Sequence, residues 1–294
     1  MQALRLFSLT AAVIPVALGT MLASGSGHTR WGYVPLAFLG ALLLQAGTNV
    51  INDVYDYRNG VDSPVTLGDS GVFTSGVLSD RAGWWYGVGL FGAAATIGIV
   101  LSALRGWPVL LIGAVAVLSG YFYTGGPRGY KYLALGDAAV FLLMGPLMVA
   151  GTYYVLAGDF WVGRVILTSL PIGFLVTAIL EANNLRYVET DRQVHVHTMV
   201  TVMGFQPAKV EYAISIGAAY AIVALLAVTR VLSWWSLIVL VTVPMAQQVV
   251  RMVLSARPGA RRLNAALPRT AMLHMAFGAL LVLGVAIGAL AASL

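Results

Sequence analysis

The sequence predicts an all-α polytopic membrane protein, a bundle of nine transmembrane helices around a central cavity, built as one domain over residues 1–294. Three observations carry this expectation. The first is composition: 59% of residues are hydrophobic, only 10% are charged, and mean hydropathy is +0.86. A soluble domain carries about 25% charged residues, so a soluble enzyme, a disordered chain and a conventional nucleic-acid-binding domain are excluded. The second is a series of apolar stretches, most near the roughly 20 residues that cross a bilayer. The third is the asymmetric placement of Lys and Arg between them.

In chain order the stretches lie near 6–25, 33–52, 83–103, 107–123, 132–156, 161–184, 211–229, 233–252 and 272–292. The first has only Arg5 as a positive flank and no clear cleavage site, so it reads as a retained helix rather than a signal peptide. The fourth is short, and the fifth carries Asp137. With nine spans, thirteen of the seventeen Lys and Arg residues fall on the side of the N-terminus; Arg30, Arg105, Arg164 and Arg230 fall on the other. The positive-inside bias places the N-terminus in the cytoplasm, and the expected location is the inner (plasma) membrane. Trp31, Trp107, Trp161, Trp234 and Trp235 fall at outer span ends, and Trp84 and Trp85 at an inner one. The net charge of +6 is explained by this membrane arrangement; no nucleic-acid partner is expected. No cysteine is present, so no disulfide or cysteine-based metal site exists.

Most of the 11 acidic residues lie in two long inner loops, about 53–82 and 185–210, or on the helix ends that feed them. Acids at membrane depth are costly and usually face a polar cavity. The first cluster runs Asn49-Val-Ile-Asn52-Asp53-Val-Tyr-Asp56-Tyr-Arg58-Asn59-Gly60-Val-Asp62. On a helix, Asn49, Asn52, Asp53 and Asp56 share one arc of about 100°. Two carboxylates three residues apart, with amides beside them, suit a hard cation such as Mg²⁺ that joins carboxylates to a substrate phosphate. The plain alternative is a solvated polar helix end. The second cluster is Glu181-Ala-Asn183-Asn184-Leu-Arg186-Tyr187-Val-Glu189-Thr-Asp191-Arg192. If the helix continues, Asn184, Tyr187 and Asp191 share a face, Glu181 sits at its margin and Glu189 points away. Arg186 and Arg192 suit phosphate oxygens. Here the alternative is a juxtamembrane stretch of mixed charge.

The run Asn49 to Asp62 resembles the first aspartate-rich motif of the UbiA superfamily of intramembrane aromatic prenyltransferases, and most closely its menaquinone-type, 1,4-dihydroxy-2-naphthoate polyprenyltransferase branch. The segment Tyr123-Thr-Gly-Gly-Pro-Arg128-Gly-Tyr130-Lys131, continuing to Tyr154, is similar to the same branch, as are Asn183-Asn184-Leu-Arg186 and Asp191-Arg192. The resemblance implies Mg²⁺-dependent transfer of a prenyl chain from a polyprenyl diphosphate to an aromatic acceptor. It assigns catalysis to Asp53, Asp56, Asp191 and Asn184, and metal binding to Asp53, Asp56 and Asp191 with Glu181. It assigns substrate contacts to Asn49, Asn52, Arg58, Asp62, Tyr123, Arg128, Lys131, Arg186 and Tyr187.

Two departures stand out against that family. Tyr187 occupies a position where the second motif usually carries an aspartate, and His195-Val196-His197-Thr198 replaces a Gly-Lys-Arg-Thr type sequence. Three explanations compete: one metal held by Glu181 with Asp191, a single strong metal site with a different donor or acceptor, or lost catalysis. The readings left open are therefore the naphthoate-type enzyme, an enzyme for a 4-hydroxybenzoate, porphyrin or glycerol phosphate acceptor, and a non-catalytic prenyl-lipid-binding relative. A cation-coupled transporter fits less well, because the acids sit at helix ends rather than at the midplane.

Overall fold

The computed structural model describes residues 9–61, 71–127, 129–159 and 162–293. The expected positions of Arg5, Asp62, Arg128 and Trp161 lie outside the described residues. Within the described residues eleven α-helices follow one another: α1 (Thr10–Ser24), α2 (Val34–Arg58), α3 (Asp80–Arg105), α4 (Trp107–Phe122), α5 (Gly136–Leu142), α6 (Met148–Ala157), α7 (Val162–Gln193), α8 (Met199–Met203), α9 (Phe205–Val228), α10 (Val243–Leu254) and α11 (Leu263–Ser293). Among the described residues the only β feature is an isolated bridge between Leu133 and His197.

Among the described residues, the greater part of each expected apolar stretch is helical. Among the described residues, seven helical segments are long and apolar enough to cross a membrane, which makes this a multi-pass membrane protein. The other two, Thr10–Ser24 and Trp107–Phe122, are apolar but have only 15 and 16 residues. Such lengths rise about 24 Å or less. Several span boundaries differ from expectation: α9 begins at Phe205 rather than 211, and α11 at Leu263 rather than 272. Helix α2 runs to Arg58 rather than 52, and α7 to Gln193 rather than 184. The apolar pattern marks where lipid ends. The hydrogen-bonded ladder goes on past it, and carries both acidic clusters on helix.

Helix α1 lies in the middle of the bundle, packed on α2, α6, α7 and α11. Ala12, Leu18 and Ala23 are fully buried. A Cβ at Gly19 would come 2.7 Å from the carbonyl oxygen of Val149, so α1 and α6 approach backbone to backbone, as membrane helices do at small residues. Between α5 and α6 the span widens into a π-turn, Leu143–Leu147, around Pro146. The span that ends in α10 begins as a 3₁₀ helix, Trp234–Thr242.

Hydrogen bonds tie the loops at each end. At one end the Arg105 guanidinium donates to the carbonyls of Val155 (2.7 Å) and Leu156 (2.6 Å), and the Arg30 N–H also donates to Leu156 (3.0 Å). These bonds satisfy the last carbonyls of α6. At the opposite, basic end Lys209 Nζ donates to the carbonyls of Leu254 (2.8 Å) and Ala256 (3.1 Å). There Ala134 N–H also donates to the His197 carbonyl at 2.7 Å, which docks the loop after α4 on the loop after α7.

Candidate active site

The last two turns of α2 present one face to the bundle. Asp53 is 1% exposed and Asp56 4%, with Asn49 and Asn52 buried beside them, while Tyr57 and Arg58 are exposed. Buried carboxylates need partners, and Asp56 has three. Its Oδ2 accepts from Lys131 Nζ (2.6 Å) and from Asn52 Nδ2 (2.6 Å), and its Oδ1 accepts from the Tyr132 hydroxyl (2.7 Å). The Lys131–Asp56 pair is largely hidden from solvent.

A tight loop brings Lys131 there. Its own N–H donates to the Tyr123 carbonyl at 2.9 Å, the Tyr130 hydroxyl donates to the Ser119 carbonyl at 2.9 Å, and the Tyr123 and Tyr130 rings meet edge to face. Gly129 is required because a Cβ there would run into the Thr124 backbone. Burial pushes the Tyr130 phenol up to about 12. Tyr132 is raised further, by burial first and then by the Asp56 carboxylate. Both phenols therefore stay protonated and remain donors at neutral pH. Sequence reasoning missed Tyr132. Its signal was its place beside Lys131 in a run of aromatic residues.

Asp191 on α7 is buried and lies in the field of both Lys131 and Asp56. Lys131 pairs with Asp56 and acts on Asp191 through its charge. Asn184 is buried on the same helix. Arg186 donates to the Asn183 carbonyl oxygen Oδ1 (3.1 Å) and to the Tyr187 hydroxyl (2.8 Å), and its guanidinium lies 4.4 Å from the centre of the Tyr187 ring. Tyr187, the departure from the expected aspartate, braces this arginine.

Two expected site residues are not brought to this cluster. Arg58 turns outward, 35% exposed, and pairs with Asp80 at 2.8 Å in the first turn of α3. Glu181 accepts from Ser215 at 2.9 Å and faces the charges of Asp137 and Glu211, not Asp191. Ten residues separate Glu181 from Asp191 along α7, about 15 Å of rise, so one ion cannot join them.

Asp53, Asp56 and Asp191 supply the hard oxygen donors that Mg²⁺ takes. Among the described residues no three carboxylates or histidines converge closely enough to hold an ion alone. The donor set fits an ion shared between carboxylates and a substrate phosphate, not one caged by protein.

Below this pole opens a cavity of about 630 Å³. Its mouth is polar, with Asn52, Lys131, Tyr130 and Asn183; its length is apolar and is walled by α1 to α7 and α11. Along α2 it runs from Asn52 to Leu36, about 24 Å, nearly the depth of a bilayer core. Buried carboxylates, a lysine and a braced arginine thus stand over a lipid-like shaft, an arrangement suited to a substrate with an anionic head and a long apolar tail.

Fold and site together define a membrane enzyme of prenyl transfer. The UbiA prenyltransferase family model matches residues 12–275, and the chain belongs to that family. It is a prenyltransferase. It is 30% identical to the 1,4-dihydroxy-2-naphthoate octaprenyltransferase of Bacillus subtilis (strain 168), over 97% of this chain and 91% of the relative. It is 32% identical to the enzyme of that name from Mycobacterium leprae (strain TN), over 84% and 83%. A UbiA homologue from Archaeoglobus fulgidus, solved bound to GPP and Mg²⁺, superposes with a TM-score of 0.64 at 15% identity, over 95% of this chain and 98% of that one.

Proposed function

We propose that the chain transfers a prenyl group from a polyprenyl diphosphate to a 1,4-dihydroxy-2-naphthoate-type acceptor, with Mg²⁺ at Asp53, Asp56 and Asp191. The observation that carries this is the Asp56–Lys131 pair at the mouth of the apolar shaft. The names of the curated relatives support the acceptor, and the GPP and Mg²⁺ of the archaeal homologue support the donor and metal.

Lys131 turns from Asp56 to the diphosphate, and Arg186 presents its guanidinium to the same anion. Mg²⁺, when bound, neutralises charge on the departing diphosphate. The allylic C–O bond breaks, the ring carbon forms the new C–C bond, and that carbon sheds its proton or carboxyl group. The apolar walls keep water from the allylic cation, while Tyr132 and Asn52 hold the Asp56 carboxylate in place. We further propose nine spans in a single domain over 1–294, with the N-terminus in the cytoplasm and the acidic pole on that side of the inner (plasma) membrane.

The test is turnover in membranes given labelled prenyl diphosphate, 1,4-dihydroxy-2-naphthoate and Mg²⁺. Prenylated product is expected, with a fall of about 100-fold or more in Asp56→Asn and Lys131→Met. Transfer only to 4-hydroxybenzoate or a glycerol phosphate would overturn the acceptor. A wild-type chain that binds the diphosphate without turnover would overturn the chemistry.

A further inference from the structure

Gln45 sits on α2 seven residues before Asn52, about 10 Å deeper in the shaft, and lines it. It is 8% exposed. Its Nε2 donates to Asn49 Oδ1 at 3.4 Å, which turns the amide oxygen away from Asn49. That Oε1 has no hydrogen-bond partner. The nearby Thr48 hydroxyl is already committed as a donor to the Leu44 carbonyl at 2.9 Å. An unsatisfied buried acceptor costs about 1–3 kcal/mol, and the surrounding wall is largely aliphatic. Oε1 itself is almost wholly covered, so a turn of the terminal amide is what presents it to a donor on an occupant of the shaft. A prenyl chain has none. A ring hydroxyl has one, and the 10 Å between Asn52 and Gln45 suits a fused two-ring aromatic standing along the helix.

We propose that Gln45 is a specificity-determining residue for the acceptor, its amide oxygen taking a hydrogen bond from a ring hydroxyl of the aromatic substrate. The inference rests on the prenyl-transfer reading above and names what that site selects. It predicts preference for hydroxylated rings over their methyl ethers, because an ether oxygen cannot donate. Sites built to bond a hydroxyl reject analogues that lack it.

The test compares 1,4-dihydroxy-2-naphthoate with its ring methyl ether, by equilibrium binding to the purified full-length chain and by turnover in membranes. Gln45→Met keeps the length and removes the oxygen; Gln45→Leu is the second variant if Gln45→Met fails to fold. The expected result is a hydroxyl-to-ether preference in Kd that shrinks about tenfold, the worth of one such bond. The KM for prenyl diphosphate should be unchanged. An unchanged preference, whether overall affinity falls or not, overturns the proposal and leaves water as the partner of Oε1. Because binding is read separately, a wild-type chain without turnover counts against prenyl transfer, whereas an unchanged Kd ratio counts against Gln45 alone.

Discussion

Removing one member of a buried ion pair leaves its partner charged and unsatisfied, which costs about 3–5 kcal/mol. At Asp56 this makes Lys131→Met a double lesion, of turnover and of stability. The double variant Asp56→Asn/Lys131→Met should regain much of the lost melting temperature in detergent, and none of the activity. A double variant as unstable as Lys131→Met would show that the pair is not what Lys131 contributes. The phenols next to it make a second residue-scale prediction. A tyrosine whose pKa is raised by folding keeps its proton when the unfolded chain has lost its own, so stability falls as pH rises above about 10. For Tyr130 the loss spans pH 10 to about 12. Phenolate absorbance of the folded protein should therefore show Tyr130 and Tyr132 among its late-titrating tyrosines, and Tyr130→Phe and Tyr132→Phe should each remove one.

Among the helices, one close backbone contact lies where the π-turn meets α7. A Cβ on Gly145 would come 2.7 Å from the Gly173 Cα, a backbone atom that cannot swing aside. Gly145→Val should destabilise the fold by more than the roughly 1–3 kcal/mol usual for overpacking, seen as a strongly lowered melting temperature. Gly98→Ala, which meets nothing within 4 Å, should be close to neutral. If the two behave alike in a thermal melt, helix spacing is not set at Gly145. The sequence shows helices well and shows such contacts poorly. Runs of apolar residues announce each span, since lipid demands them, but not which glycine touches which. The same holds at the site. The phase of Asn49, Asn52, Asp53 and Asp56 was readable because one helix fixes it. The partnership of Asp56 with Lys131 and Tyr132 was not, because it joins residues more than 70 positions apart. Glu181 read as a neighbour of Asp191 from composition of the cluster, yet the rise of α7 separates them. Arg58 read as a substrate contact, and the phase of α2 instead turns it toward Asp80.

At the scale of the whole molecule, the absence of cysteine makes topology directly measurable. His28 and Arg257 are exposed near opposite ends of the bundle. A membrane-impermeant thiol reagent should label His28→Cys from outside intact cells and Arg257→Cys only after the cells are opened. The reverse pattern would invert the proposed orientation, and labelling of both from one side would refute the count of nine crossings. The threefold clasp on Asp56 also bears on how the protein behaves when divalent ions are scarce. Small zinc domains unravel when stripped, because their ion is a structural strut. Here a side-chain ammonium, an amide and a phenol already neutralise and anchor the carboxylate, so chelated protein should melt at the same temperature as protein supplied with magnesium. Under the proposed role of Mg²⁺, ion supply then governs output without governing lifetime: a starved enzyme falls silent, stays folded and resumes work when the ion returns.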